Sequence, residues 1–218
     1  MRTFSDTYRH KGLRMQLTES IKIKGITDPR VVDAILHLPR HYFMDSAFDK
    51  LAYEDRAFPI AEGQTISQPY TVAYQTQLLD VKQYEKVLEI GTGSAYQACI
   101  LAELGAQVYT IERQKKLFDQ NKEFTFLKKY PNIKFFFGDG YEGLPTYAPF
   151  DKILVTAAAP QIPPKLIEQL KTGGRMVIPL GEGSIQRMLR LTKKDDGTTT
   201  EESFDNFSFV PMIEGKNS

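Results

Sequence analysis

Apolar residues recur at helical spacing over the first eighty residues of the chain. Leu13, Leu17 and Ile21 are spaced by four, which predicts one apolar helix face within residues 13–24. A second helix, in TDPRVVDAILHLP, is predicted to follow the N-cap residue Asp28 and to end before a proline. A third helix is predicted in PYTVAYQTQLLDV. The residues between the second and third helices are irregular, with one short strand expected in DRAFPIAEGQTIS.

From Lys86 onward, continuous apolar runs alternate with helical segments. The runs are KVLEI, QVYTIE, IKFFF, DKILVTAA and RMVIPL. Such runs are typical of parallel strands that are buried on both faces, and we expect IKFFF to be one of them rather than a surface that stacks on adenine. IQRMLRLTKK and TEESFDNFSFVPM flank DDGTTT, which predicts an antiparallel hairpin at the sheet edge. Lys193 and Lys194, next to that turn, are expected to be solvated.

Composition narrows the class of protein. Hydrophobic residues make up 41% of the chain and charged residues 25%, which is typical of a globular protein. Lys and Arg number 28 against 27 Asp and Glu, so no basic excess favours nucleic acid or an anionic membrane as a partner. No run approaches the roughly 20 apolar residues of a membrane span, and the first residues lack a secretory pattern. With Cys99 as the single cysteine, we expect a cytoplasmic protein without a disulfide.

The stretch VLEIGTGSAYQ places Gly91 and Gly93 between a predicted strand and a predicted helix. Open α/β sheets bind ligands at such positions. Glu112 stands nineteen residues beyond Gly93, at the end of the next predicted strand, where an acid accepts hydrogen bonds from both hydroxyls of a ribose. The combination indicates a cofactor that contains adenosine. The alternative is that the two glycines form only a tight turn.

The same loop is poorly suited to a pyrophosphate. Tyr96 occupies the position of the third glycine in the dinucleotide fingerprint, and Glu89 would repel phosphate. A carboxylate there suits a ligand that carries positive charge. S-adenosylmethionine has a sulfonium, an ammonium and a ribose but no phosphate, so it fits better than NAD. Asp139, which ends the third predicted strand, is either an acceptor for the adenine amino group or only part of an Asp-Gly turn.

Five stretches together resemble one enzyme family. GQTISQP, VLEIGTGSAYQ, GDGYEGLP, APFDKILVTAAAP and GGRMVIPLG are similar to protein-L-isoaspartate O-methyltransferases, over about residues 8–214. The resemblance implies a Rossmann-like S-adenosylmethionine-dependent α/β methyltransferase fold, with a mostly parallel seven-stranded sheet. It also implies methyl transfer to the free α-carboxylate of L-isoaspartyl residues in damaged proteins and peptides, which initiates repair through a succinimide.

We expect a single methyltransferase domain over residues 1–218. It comprises a helical N-terminal extension with the active-site loop over 1–82, a nucleotide-binding core over 83–182 and a C-terminal hairpin over 183–218. We expect a monomer, because protein substrates require an open cleft.

The resemblance also implies the residues of the site. Ser67 matches the active-site serine of the family. The expected substrate-binding residues are Thr65, Ile66, Ser67, Val210 and Pro211. Together with the charge argument, the expected cofactor contacts are Glu89, Gly91, Gly93, Ser94, Glu112, Asp139 and Gly140. One departure is Ala95, which replaces a glycine of the family loop; it should be harmless unless its position requires a positive φ.

Two interpretations of Ser67 are open. It lies two residues before Pro69 and either caps the third helix or faces a bound ligand. The N-terminus of a helix also favours an anion such as a substrate carboxylate. An α-carboxylate has a pKa of about 3.5 and is already ionised at neutral pH, so it needs no general base. We therefore assign Ser67 an orienting role, since positioning alone can contribute several kcal/mol.

Two other functions are considered. A related methyltransferase could act on a small molecule or on tRNA, although the balanced charge disfavours tRNA. A non-catalytic peptide-binding module could share the fold, but it would have no need of the ribose-binding acid Glu112. The three histidines, His10, His37 and His41, lie outside the loops described above, and none has metal-ligand spacing, so no metal is expected.

Overall fold

Residues 5–217, which the computed structural model describes, form six α-helices and nine strands. The helices are α1 (Tyr8–Ile23), α2 (Pro29–His37), α3 (Pro69–Leu79), α4 (Tyr96–Glu103), α5 (Lys115–Glu123) and α6 (Pro164–Gln169). The strands are β1 (Phe58–Pro59), β2 (Thr65–Ile66), β3 (Lys86–Ile90), β4 (Gln107–Glu112), β5 (Ile133–Phe137), β6 (Phe150–Val155), β7 (Leu170–Leu180), β8 (Gln186–Lys193) and β9 (Thr199–Phe207).

The larger sheet has seven strands in the order β5-β4-β3-β6-β7-β8-β9. The five strands from β5 to β7 in this order are all parallel to one another, whereas β8 and β9 are antiparallel additions next to β7. The predicted fold class is therefore confirmed. The chain leaves β3 towards one edge of the sheet and later returns to β6 on the other side of β3. The carboxyl ends of β3 and β6 thus border the crevice where this sheet type binds ligands.

Both faces of the parallel sheet are covered, which explains the continuous apolar runs in the sequence. Side chains alternate between faces along each strand, so Val87 and Leu154 belong to a core shared with α3 and α4. Leu88 and Ile153 point to the opposite face, where they form a second core that includes Leu166 of α6. Edge strands are less enclosed. The phenylalanines of the edge strand β5 are half-buried, so the expected complete burial was wrong.

The N-terminal helices form because each has a local cap. Thr7 caps α1, with the side chains of Thr7 and His10 each accepting a backbone N–H of the other, so the helix starts earlier than residue 13. Asp28 caps α2 as predicted, with its Oδ1 2.9 Å from the N–H of Arg30. Leu17 and Ile21 of the predicted apolar face are buried. No helix within residues 5–217 combines the length and apolar character that crossing a bilayer requires.

The hairpin confirms one lysine prediction and contradicts the other. Lys194 is exposed, as expected. Lys193 is not a solvated turn residue, because its Nζ donates to the carbonyls of Ile167 (2.8 Å), Glu168 (3.3 Å) and Leu170 (2.8 Å). These carbonyls lie at the end of α6, where a helix leaves acceptors without backbone partners. Lys193 therefore fixes α6 to β8, a long-range contact that its neighbours in sequence do not indicate.

Candidate active site

The loop that joins β3 to α4 lies at the carboxyl ends of the parallel strands. Gly91 has φ +97°, and a Cβ atom there would lie 2.6 Å from Oγ1 of Thr156. Gly140 approaches the same region from β5, and its Cβ would lie 2.5 Å from Ile90 Cγ2. Both glycines therefore allow a close backbone approach that any side chain would prevent. The space left above them is available to a ligand.

Glu112 ends β4 beside this loop and is almost completely buried. Its Oε2 accepts the N–H of Gly93 at 2.8 Å, and its Oε1 accepts the N–H of Gln114 at 2.8 Å. Burial raises the pKa of Glu112, while these N–H groups act in the opposite direction. A carboxylate has about four acceptor positions, so both oxygens keep capacity for hydroxyl donors of a ligand.

Glu89 lies behind the cavity rather than in it. Its side chain is completely buried, on the face of β3 that packs against α3 and α4. Oε2 accepts the hydroxyl of Thr110 at 2.5 Å, and Oε1 has no hydrogen-bond partner within the described part of the chain. Burial raises the pKa of Glu89 to about 8, so the carboxyl group is protonated at neutral pH. The expected contact between an ionised Glu89 and the cofactor is not part of this arrangement.

The segment around Ser67 is organised by a distant acid. Gln68, not Ser67, is the N-cap residue of α3, and the N–H of Tyr70 donates to Oδ1 of Asp55 at 2.8 Å. The half-buried Ser67 hydroxyl makes no hydrogen bond with any residue of the range 5–217. Capping is therefore not the role of Ser67, and the helix N-terminus is already compensated by a carboxylate. The interpretation that this end of α3 attracts a substrate anion needs correction accordingly.

The last described residues, 210–217, cross the carboxyl ends of the parallel strands. The N–H of Ala158 donates to the carbonyl of Val210 at 2.8 Å. Further along, the N–H of Gly215 donates to Oδ2 of Asp139 at 2.7 Å, while Oδ1 accepts the N–H two residues after Asp139 at 2.9 Å. Asp139 thus forms a turn and anchors the C-terminal segment. Asp139 is not among the residues that line the central cavity described below, and its expected contact with adenine stays a prediction.

These elements surround a central cavity at the carboxyl ends of the parallel strands, where this type of sheet binds ligands. The predicted site residues that line it are Thr65, Ile66, Ser67, Gly91, Gly93, Ser94, Glu112, Gly140, Val210 and Pro211. Glu89 and Asp139 are the predicted residues that the structure does not bring to its wall.

A second depression, here named the side groove, opens next to the central cavity. Its wall consists of Lys24, Ala57, Thr65, Ser67, Gln68, Tyr70, Thr71, Thr156, Ile185, Asn206, Phe207, Ser208, Phe209 and Val210. Thr65, Ser67, Thr156 and Val210 line both spaces. Ser67 therefore lies at the border between the central cavity and the side groove.

Thr156 and Arg113 are cavity residues that sequence reasoning missed. Oγ1 of Thr156 lies 2.9 Å from the carbonyl oxygen of Ile90 and 2.8 Å from that of Gly91, so it joins the ends of β6 and β3. Its position directly after a predicted strand was a usable signal, because ligands contact the carboxyl ends of parallel strands. Arg113, which follows the predicted ribose-binding acid, offered the same signal.

Comparison with known proteins identifies the family. A model of the protein-L-isoaspartate(D-aspartate) O-methyltransferase family matches residues 13–217. The chain belongs to this family. The protein-L-isoaspartate O-methyltransferase of Christiangramia forsetii is 54% identical to it, over 97% of this chain and 99% of that protein. The enzyme of Flavobacterium johnsoniae is 55% identical, over the same shares of the two chains.

A solved structure agrees with this family assignment. It is described as a protein-L-isoaspartate O-methyltransferase from Plasmodium falciparum in complex with S-adenosyl-L-homocysteine. Its TM-score to this chain is 0.76 at 25% sequence identity, and the match covers 94% of this chain and 98% of that one.

In this methyltransferase, Ala95 adopts a backbone conformation that glycine normally occupies. It precedes α4 with φ 67° and ψ 11°, in the left-handed region, and it is completely buried. A residue with a Cβ costs about 1–2 kcal/mol in that region. The position of Ala95 therefore requires a positive φ, so the replacement of glycine is not harmless, and the loop keeps its shape at a conformational cost.

The histidines of this family member lie away from the central cavity. His37 is exposed, whereas His10 and His41 are buried and stack with their ring centroids 3.9 Å apart. Asp6 joins them, with one ligand atom from each of the three residues within 4.8 Å of the others, a grouping that spacing along the chain does not reveal. Arg14 engages both oxygens of Asp6, at 3.0 and 2.9 Å. The expectation that the protein has no metal stays a prediction.

Proposed function

We propose that this protein transfers the methyl group of S-adenosylmethionine to the free α-carboxylate of L-isoaspartyl residues in damaged proteins and peptides. The ester then closes to a succinimide, whose hydrolysis partly restores normal aspartate. Membership of the family supports this activity, as do the central cavity and the side groove that meet at Ser67.

The central cavity suits S-adenosylmethionine. Among the described residues that line it, Glu112 and Arg113 carry the charged side chains, so there is no cluster of cations for a pyrophosphate. Glu112 keeps acceptor capacity for ribose hydroxyls, and Gly91 allows the ligand to approach the backbone. When bound, the cofactor supplies an electrophilic methyl group on a positively charged sulfur. We propose that Gly93, Ser94 and Gly140 complete its binding surface.

The residues at the border between the central cavity and the side groove are the main support for the proposal. Of the described residues that line both, Thr65, Ser67, Thr156 and Val210, none has an acidic or basic side chain. An alcohol or amine acceptor would require a base at this position, whereas an α-carboxylate with a pKa of about 3.5 arrives ionised. We propose that Ser67 donates a hydrogen bond to this carboxylate and orients it. Thr65, Ile66, Val210 and Pro211 would form the surrounding wall that excludes water.

The direct test uses a pair of peptides that differ only in Asp versus L-isoaspartyl. Incubation with methyl-labelled S-adenosylmethionine should give a base-labile ester on the isoaspartyl peptide alone. Label on neither peptide, despite cofactor binding, would contradict the proposal and favour another acceptor or a non-catalytic module. A labelled small molecule or tRNA would identify the related methyltransferase instead.

The orienting role of Ser67 gives a second prediction. Ser67→Ala should lower turnover with the isoaspartyl peptide at least about tenfold, because a loose acceptor loses alignment with the methyl group. The dissociation constant of S-adenosylmethionine should change less than about twofold, since the hydroxyl has no role in holding the fold. Ser203→Ala, on the exposed face of β9, is the matched control and should resemble wild type. A parallel loss of turnover and cofactor affinity would show that Ser67 instead shapes the cavity.

We further propose that the protein acts as a monomer and without a nucleic acid partner. The near-equal numbers of basic and acidic residues support the second point. A cavity that is entered from an open side groove supports the first, because a protein substrate must reach Ser67.

A further inference from the structure

Asp55 has an unusual position in the hydrogen-bond network around Ser67. It lies 15 residues before Tyr70 in sequence, yet its Oδ1 accepts the N–H of Tyr70 at 2.8 Å. This N–H is at the second position of α3, where a helix normally uses the side chain of its own N-cap residue. The N-cap residue Gln68 makes no such bond. Asp55 therefore caps α3 from another segment of the chain.

The second oxygen of Asp55 holds two further elements in place. Oδ2 accepts Nε2 of Gln68 at 3.1 Å and Nζ of Lys24 at 2.6 Å. Lys24 follows the last turn of α1, and its backbone carbonyl accepts the hydroxyl of Tyr70 at 3.3 Å. One largely buried carboxylate thus connects α1 to the residues on both sides of Pro69.

This arrangement leaves Ser67 free for a ligand. Without Asp55, the N–H of Tyr70 would lose its partner, and the side chains of Ser67 and Gln68 would be the nearest replacements along the chain. A serine that turned back to cap α3 would no longer present its hydroxyl at the border between the central cavity and the side groove. The cap supplied by Asp55 removes that competition.

The ion pair also controls charge at the side groove. An uncompensated carboxylate at Asp55 would repel an anionic acceptor that approaches Ser67. Lys24 lines the side groove and neutralises this carboxylate at 2.6 Å. The partner for which this matters is the one in the proposed function, an isoaspartyl α-carboxylate.

We propose that Asp55 is a positioning residue for the methyl-transfer reaction: it caps α3 so that Ser67 can orient the acceptor, and Lys24 neutralises it towards the side groove. This inference rests on the proposed function. Asp55 contacts neither ligand, so its effect should appear in the use of the peptide and not in cofactor binding.

The test compares two capping aspartates. Asp28 caps α2, a helix that also begins with a proline, through the N–H of Arg30 at 2.9 Å, but it lies far along the chain from Ser67. Asp55→Ala should lower kcat/KM for an isoaspartyl peptide at least about tenfold, as expected for a misplaced reacting group. Asp28→Ala should lower the melting temperature by about 2–4 °C, as loss of a cap does in a protein of this size, with kcat/KM unchanged. Calorimetry with S-adenosylhomocysteine should give the same dissociation constant for both variants.

The conservative variant distinguishes positioning from folding. Asp55→Asn keeps one acceptor oxygen for the N–H of Tyr70, so it should recover kcat/KM to within about threefold of wild type. If Asp55→Ala fails to fold, the kcat/KM of Asp55→Asn still tests the inference. An Asn variant as impaired as the Ala variant, or an Ala variant as active as Asp28→Ala, would overturn the inference.

Lys24 is tested separately. Lys24→Met should raise the KM of the isoaspartyl peptide about threefold or more, with a smaller effect on kcat, because Asp55 is then uncompensated. Lys22→Met removes a surface pair with Glu19 on the same helix and is the control. Equal KM values for the two variants would refute the proposed role of Lys24.

The failure of the proposed function and the failure of this inference can be distinguished. If wild type itself leaves the isoaspartyl peptide unmethylated, both fail. If wild type is active and the variants of Asp55 and Lys24 are equally active, the inference alone is refuted.

Discussion

The buried carboxyl group of Glu89 should make the stability of this protein depend on pH. Its pKa is raised from 4.5 to about 8, mainly by burial, with a smaller contribution from nearby Glu112 and an opposing one from the hydroxyl of Thr110. The unfolded chain releases this proton near pH 4.5, but the folded chain keeps it to about pH 8. The contribution of Glu89 is therefore fully present below pH 4.5 and is lost as the pH rises towards 8.

The magnitude follows from the size of the shift. Each pH unit between the two pKa values costs about 1.36 kcal/mol, so the interval from about pH 5 to about pH 7 should cost ~3 kcal/mol. Glu89→Gln has nearly the same shape, keeps an oxygen for Thr110 and cannot ionise. Urea unfolding at both pH values should show wild type losing ~3 kcal/mol relative to this variant.

The comparison cancels all other titrating groups, because they are present in both proteins. Glu201→Gln, at an exposed position on β9, is the matched control and should track wild type at both pH values. Parallel pH dependence in wild type and Glu89→Gln would refute the reasoning, because it would mean that Glu89 is ionised inside the fold.

Two further substitutions test local features of the fold by urea unfolding. Ala95→Gly should change the free energy of unfolding by less than ~1 kcal/mol, because relief of the positive φ offsets the buried methyl group and the added chain entropy. Ala98→Gly, inside α4, has no such relief and should cost ~2 kcal/mol; equal costs would contradict the conformational argument. Lys193→Met should cost ~1–2 kcal/mol, since the carbonyls at the end of α6 lose their donor. Lys194→Met should change stability by less than ~0.5 kcal/mol, and a matching loss there would remove the special role of Lys193.

The parallel core could be predicted because its signal is local. KVLEI, QVYTIE and IKFFF coincide with β3, β4 and β5. Strands β3 and β4 are buried on both faces and the edge strand β5 only partly, but all three are mostly apolar. The glycine loop and Glu112 were located for the same reason: the loop directly follows β3, and Glu112 is the last residue of β4. The start of α2 was also readable, because Asp28 and the following proline are adjacent to the helix they begin.

Other features depend on contacts between distant segments. The cap that Asp55 gives to α3 crosses 15 residues, and the sequence around Ser67 suggested a cap by the serine itself. His10 and His41 meet only when α1 packs against the loop after α2. The burial of Glu89 could have been anticipated from the two-residue period of β3, because Val87 on the same face is a core residue.

The most direct test of the account is the single-turnover rate of methyl transfer to an isoaspartyl peptide, measured from about pH 5 to about pH 7 with saturating S-adenosylmethionine. An acceptor that is ionised throughout this interval needs no base, so the rate should be constant, and Ser67→Ala should lower it by the same factor at every pH. A wild-type rate that rises about tenfold per pH unit would contradict the account, because it would show that a general base takes part in the reaction.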